Sequence, residues 1–294
     1  MALVCQFDLE CEQFDFVAAY LNVKLDELVF TRVLEGITTQ GVALKVLRAL
    51  YGLKQSGALW QGDLTAFLID FGLRLVPGLE CVFYSTQLIV FFFVDDSCAV
   101  FDSKNRSEFE RLKAALLDRY EMHVLGPLEW FLGIRVTRDR HRRTLYVVQD
   151  QFIEKMASKF AISLPTKELT PDLLTRGLIP MSLFVDLSID NDAKASMDEL
   201  AAYKSRIGSI NFPAAWTRPD VAKCVSVLST ITNPGRNHFR AADGVIRYML
   251  ATKDLGICFG HSAGAQGFAS DATEFIGASD ASFADYPSRK SSEG

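Results

Sequence analysis

The chain has 294 residues, 49% of them hydrophobic and 23% charged, enough for a sizeable core in one large domain or two ordinary ones. A net charge of −5 argues against a surface that coats nucleic acid throughout, since phosphate contact on that scale needs an excess of Lys and Arg. The longest apolar run, Leu88 to Val94, is far shorter than the ~20 residues of a membrane span, and Asp8 and Glu10 interrupt the opening apolar stretch. Neither a span nor a signal peptide is expected.

The elements follow in chain order. Cys11 to Tyr20, rich in aromatic and β-branched residues, predicts a strand ending in a turn. From Gln55 a helix is predicted, with Trp60, Leu64, Phe67, Leu68 and Phe71 at helical spacing and Gly72 as C-terminal cap. The runs Cys81–Ser85, Leu88–Val94 and Ser97–Phe101 predict strands, the last two meeting at a tight turn that carries Asp95 and Asp96. A helix is expected after Asp102 or Ser103, with Phe109, Leu112, Leu116 and Tyr120 on one face.

Residues 130–149 predict a hairpin with a basic tip, and 150–162 an amphipathic helix. Residues 164–198 have weak periodicity and are taken as a linker. Two helices are then expected. One follows Thr217-Arg218-Pro219-Asp220, with Thr217 capping and Pro219 in the first turn, and ends at Asn233-Pro234. The other carries Phe239, Ala242, Ile246, Met249 and Leu250 and stops near Gly256. The six cysteines form no C-x-x-C pair and the four histidines show no zinc spacing, so buried free thiols in a reducing, intracellular compartment (cytoplasm or nucleus) are expected.

The chemistry centres on Asp95-Asp96. Two adjacent carboxylates behind the apolar run Phe91-Phe92-Phe93-Val94 repel each other and resist burial, and a divalent cation is the natural compensation. Hard cations such as Mg²⁺ take oxygen ligands and keep positions open for phosphate. A two-metal site, with ions about 3.5–4 Å apart, needs a further carboxylate. Asp15, at the end of another apolar strand, is the candidate.

These segments together resemble the copia-type retrotransposon reverse transcriptases. Gln13, Asp15, Ala19, Tyr20, Leu21 and Asn22 match the first palm motif, and Leu50-Tyr51-Gly52-Leu53-Lys54-Gln55 is present intact with Trp60 beyond it. Phe93-Val94-Asp95-Asp96 matches the Y-V-D-D box, and Leu125-Gly126, Leu128 and Phe131-Leu132-Gly133-Ile134 match a downstream motif. Tyr203, Ile207-Gly208-Ser209, Thr217 to Asp220, Asn233-Pro234 and His238 follow in family order.

The resemblance implies an α+β fold: a palm with an antiparallel sheet and helices on one face, then a helical thumb and connection region. It implies RNA- and DNA-directed DNA synthesis from dNTPs on a primed RNA or DNA template. Asp15, Asp95 and Asp96 would hold two Mg²⁺ ions, with Mn²⁺ as the alternative. Asp8 shares the tripeptide Gln-Phe-Asp with Asp15, but Ala-Tyr-Leu-Asn follows only Asp15. Backbone N–H groups from Phe16 and Val17 to Ala18 and Ala19 would bind the triphosphate. Tyr20 would exclude a ribose 2′-hydroxyl, and Gln55 would contact the dNTP or template; the alternatives are a core tyrosine and a plain helix-start residue. Trp60 is read as structural. Arg138, Arg140, Arg142 and Arg143 could touch phosphates, or form a solvated hairpin tip.

The implied organisation is a palm core over 1–163 with the fingers largely missing, a linker over 164–198, a thumb and connection over 199–260, and a truncated ribonuclease H-like start over 261–294. Asp280 matches the first metal carboxylate of that last domain, and one carboxylate alone predicts no ribonuclease H activity. The expectation is a polyprotein region truncated at both ends. Ala58 and Gly57 stand where the family carries Arg and Pro, and Val124 where it carries Asp. The rivals are an inactive remnant or nucleic-acid-binding fragment, and another palm-fold nucleotidyl enzyme.

Overall fold

In the strand Glu10–Phe16 (β1), Phe14 and Phe16 are buried, whereas Asp15 between them is half-buried. Side chains alternate across a strand, so one face of β1 enters a core and the other carries Gln13 and Asp15. The computed structural model describes residues 1–33, 43–164 and 195–260 and the short strands 281–282 and 292–293. The chain divides into two units. One is Met1–Leu132 with Arg138–Leu145; the other is Gly133–Thr137 with Tyr146–Gly294.

The first unit opens with a short helix, Ala2–Gln6 (α1), before β1. A two-stranded ribbon follows, Lys24–Arg32 (β2) and Ala43–Arg48 (β3). Then come the helix Ser56–Phe71 (α2) and the strands Arg74–Val76 (β4), Leu79–Tyr84 (β5), Leu88–Phe93 (β6) and Asp96–Phe101 (β7). The helix Arg106–Arg119 (α3) and the strand Met122–Pro127 (β8) follow. The strands form a six-stranded sheet in the order β4-β5-β6-β7-β1-β8, antiparallel throughout. β1 therefore lies between the strand that follows Asp95 and β8.

The core joins Phe14, Phe16, Ala99 and Phe101 of the sheet to Trp60, Leu64 and Leu68 of α2 and Phe109, Leu112 and Leu116 of α3. Each large side chain buried there contributes roughly 1.5–3 kcal/mol. α2 stops at Gly72, whose φ of 111° suits a residue without Cβ, while its N–H reaches the Ile69 carbonyl. The expected strand over Cys11 to Tyr20 is shorter than its pattern: β1 ends at Phe16, and Ala18, at φ 47°, turns the chain into a 3₁₀ helix over Ala19–Asn22.

The second unit is mainly helical: Asp150–Lys159 (α4), Met197–Trp216 (α5), Ala222–Ser229 (α6) and Arg236–Ala251 (α7). Its core gathers Ile153 and Met156, Tyr203, Ile207 and Ile210, Cys224 and Leu228, and Val245, Ile246 and Met249. α5 begins with a capping box, in which Ser196 accepts from the Glu199 N–H and Glu199 from the Ser196 N–H. A Cβ on Gly256 would stand 2.1 Å from the Val147 carbonyl oxygen, so only glycine allows this approach just before the strand Ile257–Gly260.

Two expectations need correction here. Thr217 does not cap the following helix. α5 runs up to it, making it that helix's C-terminal cap, and its hydroxyl donates to Gln149 Oε1 at 2.8 Å. The following α6 ends at Ser229, ahead of Asn233-Pro234. Most of the predicted linker, and the tail with Asp280, lie outside the described residues.

Thr217 to Asp220 serve the packing of this unit. Arg218 is 1% exposed. Its guanidinium makes a two-pronged bond to Asp220, at 2.9 and 2.7 Å, and donates to the Thr252 carbonyl and hydroxyl. Tyr248 adds its hydroxyl to Asp220 at 2.9 Å. A buried guanidinium with this many acceptors ties the α5–α6 connection to the end of α7.

Candidate functional site: carboxylates at one end of the sheet

Antiparallel pairing places Asp15 directly opposite Asp96. Asp95 occupies the two-residue connection between β6 and β7, and its carbonyl accepts from the Phe16 N–H at 3.2 Å. All three acids thus belong to segments at one end of the neighbouring strands β7 and β1. Asp15 and Asp96 share the face turned away from Phe14, Phe16, Ala99 and Phe101. The helices supply the core on the opposite face.

The turn that presents Asp95 is unusual. Val94 has φ +57°, a left-handed conformation that a β-branched side chain rarely takes. Its carbonyl accepts the indole N–H of Trp60 at 2.6 Å. Burial lifts the Asp96 carboxyl above the usual carboxylate range, and the charges of Asp95 and Asp15 push it further, against a lowering by the Leu132 N–H 3.4 Å away. Crowded, partly desolvated oxygens are the donor type a hard divalent cation takes. Among the described residues, however, no three His, Cys, Asp or Glu side chains are gathered closely enough to form a ready ligand cluster. The fit to a cation therefore lies in donor chemistry and charge.

The neighbouring segments are built around this end of the sheet. The amides of Phe16 and Val17 are engaged with the carbonyls of Asp95 and Glu121 at 3.2 and 2.9 Å, so they cannot serve a triphosphate as the sequence suggested. Asn22 holds the bend by donating to the Val17 and Ala19 carbonyls, and Arg48 donates to those of Leu21 and Asn22. Leu50 to Gln55 form a turn, with Gly52 at φ 99° and the buried Ser56 hydroxyl donating to the Leu50 carbonyl at 2.7 Å. Gln55 stands at the start of α2 without capping it through its side chain.

Sequence reasoning missed two groups here. One is the Leu132 N–H on Asp96. The other is Tyr51, 58% exposed, whose ring lies 4.3 Å from that of Tyr20. Burial raises the Tyr51 hydroxyl pKa, and Asp95, Tyr20 and Asp15 add to it, which places this ring within electrostatic reach of the acids. The intact Leu-Tyr-Gly-Leu-Lys-Gln run was the available signal.

The basic hairpin is largely neutralised from within. Arg138 lies in the strand Ile134–Asp139 and donates to the Leu9 carbonyl and to Asp8, each at 2.5 Å. Arg140 pairs with Glu10, and Arg142 lies 3.7 Å from Asp139. Arg143 takes φ 49° at the tip. Asp8, the twin of Asp15 in local sequence, is thus an ion-pair partner of Arg138.

Residues 1–173 match the family model described as reverse transcriptase (RNA-dependent DNA polymerase). The chain belongs to the reverse transcriptase family. Among its relatives is the retrovirus-related Pol polyprotein from transposon TNT 1-94 of Nicotiana tabacum, 29% identical over 89% of this chain and 20% of that protein. The transposon Ty5-1 protein of Saccharomyces cerevisiae is 26% identical over 86% of this chain and 79% of its own length. The transposon TyH3 Gag-Pol polyprotein of the same yeast is 25% identical over 96% of this chain and 16% of its own. The chain thus spans a fifth or less of the tobacco Pol and TyH3 Gag-Pol polyproteins. Among its described residues, no helix is long and apolar enough to cross a membrane.

Proposed function

We propose that this chain is the palm and the adjoining helical thumb and connection of a retrotransposon DNA polymerase. It would extend a primer with dNTPs on an RNA or DNA template. The observation that carries the reading is the pairing of Asp15 with Asp96, with Asp95 in the adjoining turn. Three carboxylates at one sheet end, with Asp15 and Asp96 on the face away from α2 and α3, suit a duplex terminus approaching that face.

Asp15, Asp95 and Asp96 would hold two magnesium ions, which supply charge neutralisation at the phosphates and a more acidic primer 3′-hydroxyl. The chain's own residues do the rest. The amides of Ala18 and Ala19 would receive the triphosphate. Tyr20, held against Tyr51, would lie under the sugar and reject a 2′-hydroxyl, and Gln55 would meet the nascent pair. The primer 3′-hydroxyl gives up its proton to solvent as its oxygen bonds to the α-phosphorus, the bond from that phosphorus to the oxygen bridging to the β-phosphate breaks, and pyrophosphate leaves.

Primer extension on poly(rA)/oligo(dT) with Mg²⁺, compared with Asp95→Asn, tests the proposal. Magnesium-dependent product lost in the variant supports it; wild type no better than the variant would mark the chain as an inactive remnant. Incorporation without a primer would point instead to another palm-fold nucleotidyl enzyme.

A further inference from the structure

The mechanism above leaves Trp60 in the core, yet its contacts reach both acidic segments. It is 1% exposed, and its only polar atom donates at 2.6 Å to the carbonyl of Val94, the residue before Asp95. Its ring meets that of Phe16, the residue after Asp15, edge to face at 5.1 Å. Tyr120 closes on both, at 5.3 Å from Trp60 and 5.5 Å from Phe16. One side chain on α2 therefore touches the neighbours of two of the three carboxylates.

The Val94 carbonyl is the point where such a contact matters most. At φ +57° a valine is held against its own preference, and strain of this kind persists only where surroundings enforce it. The peptide that begins with this carbonyl also carries the Asp95 N–H, so its orientation sets the direction of the Asp95 side chain. A buried indole N–H needs an acceptor, and here the acceptor is the strained peptide itself.

We propose that Trp60 is a positioning residue for the polymerase reaction, holding the Val94-Asp95 turn through its indole N–H so that Asp95 is presented at the sheet end that carries Asp15 and Asp96. The inference rests on the two-metal reading above. A merely space-filling tryptophan would need its ring but not its N–H at this carbonyl.

The test uses the full chain with 3-benzothienylalanine at position 60, which keeps the ring shape and replaces N–H by sulfur, alongside Trp60→Phe. Mn²⁺ affinity is read by electron paramagnetic resonance, and kcat and KM for dTTP by primer extension. The isostere is expected to lose roughly tenfold to a hundredfold in kcat with little change in KM, since small misplacement of a reacting group has that effect. Its Mn²⁺ affinity should fall about tenfold, at the lower end of what loss of an outer-shell partner does.

In a Val94→Gly background, where glycine takes positive φ freely, removing the N–H should matter less. Full kcat and Mn²⁺ affinity in the isostere would overturn the inference while leaving the two-metal reading intact, provided Asp95→Asn loses both. If wild type and Asp95→Asn bind Mn²⁺ alike, the two-metal reading fails and takes the inference with it. Independently of activity, the Trp60 indole proton must exchange slowly by ¹⁵N NMR; fast exchange refutes the contact.

Discussion

The rings of Tyr20 and Tyr51 lie 4.3 Å apart, tilted by 38°, beside the end of the sheet that carries Asp15 and Asp95. Tyr20 is thus braced from the side by a second aromatic. Under the proposed role, Tyr20→Val should lower the preference for dTTP over UTP by about tenfold to a hundredfold, the range a shape-selective pocket supplies. Tyr20→Phe should keep it, because the ring and not the hydroxyl excludes the extra oxygen. Tyr51→Ala should give an intermediate loss by freeing the Tyr20 ring. Ratios of kcat/KM for the two nucleotides check this, and unchanged ratios in Tyr20→Val would remove Tyr20 from the sugar site.

Asp15 opposite Asp96 is a like-charge pair across adjacent strands, which destabilises a sheet by about 0.2–1 kcal/mol. Asp96→Asn should therefore raise the metal-free thermal midpoint slightly, by about 1–3 °C. Under the proposed two-metal site, millimolar Mg²⁺ should raise the wild-type midpoint further, and Asp96→Asn should abolish that rise. Scanning calorimetry with and without Mg²⁺ measures both. A variant less stable than wild type without metal would mean that the pair is not repulsive.

Asp220 illustrates the opposite case. Burial works against its charge, but the Arg218 guanidinium and the Tyr248 hydroxyl outweigh that and hold its carboxyl below the ordinary value of 3.8. A lowered acid contributes stability that is fully present above 3.8 and drains away as pH falls through the folded value. Asp220→Asn should therefore destabilise the second unit at pH 6 and cost less at pH 2, below 3.8, where the wild type has lost part of the same contribution. Arg218→Lys, which cannot make the two-pronged bond, should cost roughly 2–4 kcal/mol. Urea unfolding of both variants at the two pH values is the check. An equal cost for Asp220→Asn at pH 2 and 6 would remove the charge from the argument.

Gly256→Ala should weaken the same unit. A methyl 2.1 Å from the Val147 carbonyl oxygen forces the backbone to move. Overpacking of this kind costs about 1–3 kcal/mol. Loss of amide protection in Tyr146–Val148 by hydrogen exchange would locate the effect, and a fully protected strand would contradict it.

Much was legible from local pattern. The helical spacing of Trp60, Leu64 and Leu68 and the glycine at position 72 set α2 almost to the residue, because a helix's buried stripe and its cap are both short-range features. The face of α3 with Phe109, Leu112 and Leu116 was legible for the same reason. α5 was harder to see, because Gly208, Pro213 and several serines and alanines dilute its apolar stripe. Thr217 read as a cap because capping chemistry is local, yet its hydroxyl found Gln149, far away in sequence.

From its order of residues alone, the chain determined its family, its alternating strands and most of its helices, and it marked Asp15, Asp95 and Asp96 as the acids worth watching. Only the tertiary structure decided that Asp15 faces Asp96, that Arg138 answers Asp8, and that the amides of Phe16 and Val17 are engaged inside the sheet. The reason is physical. Periodicity reports which side of an element is buried, whereas strand register and the partner of each polar group depend on residues distant in sequence, which no local pattern encodes.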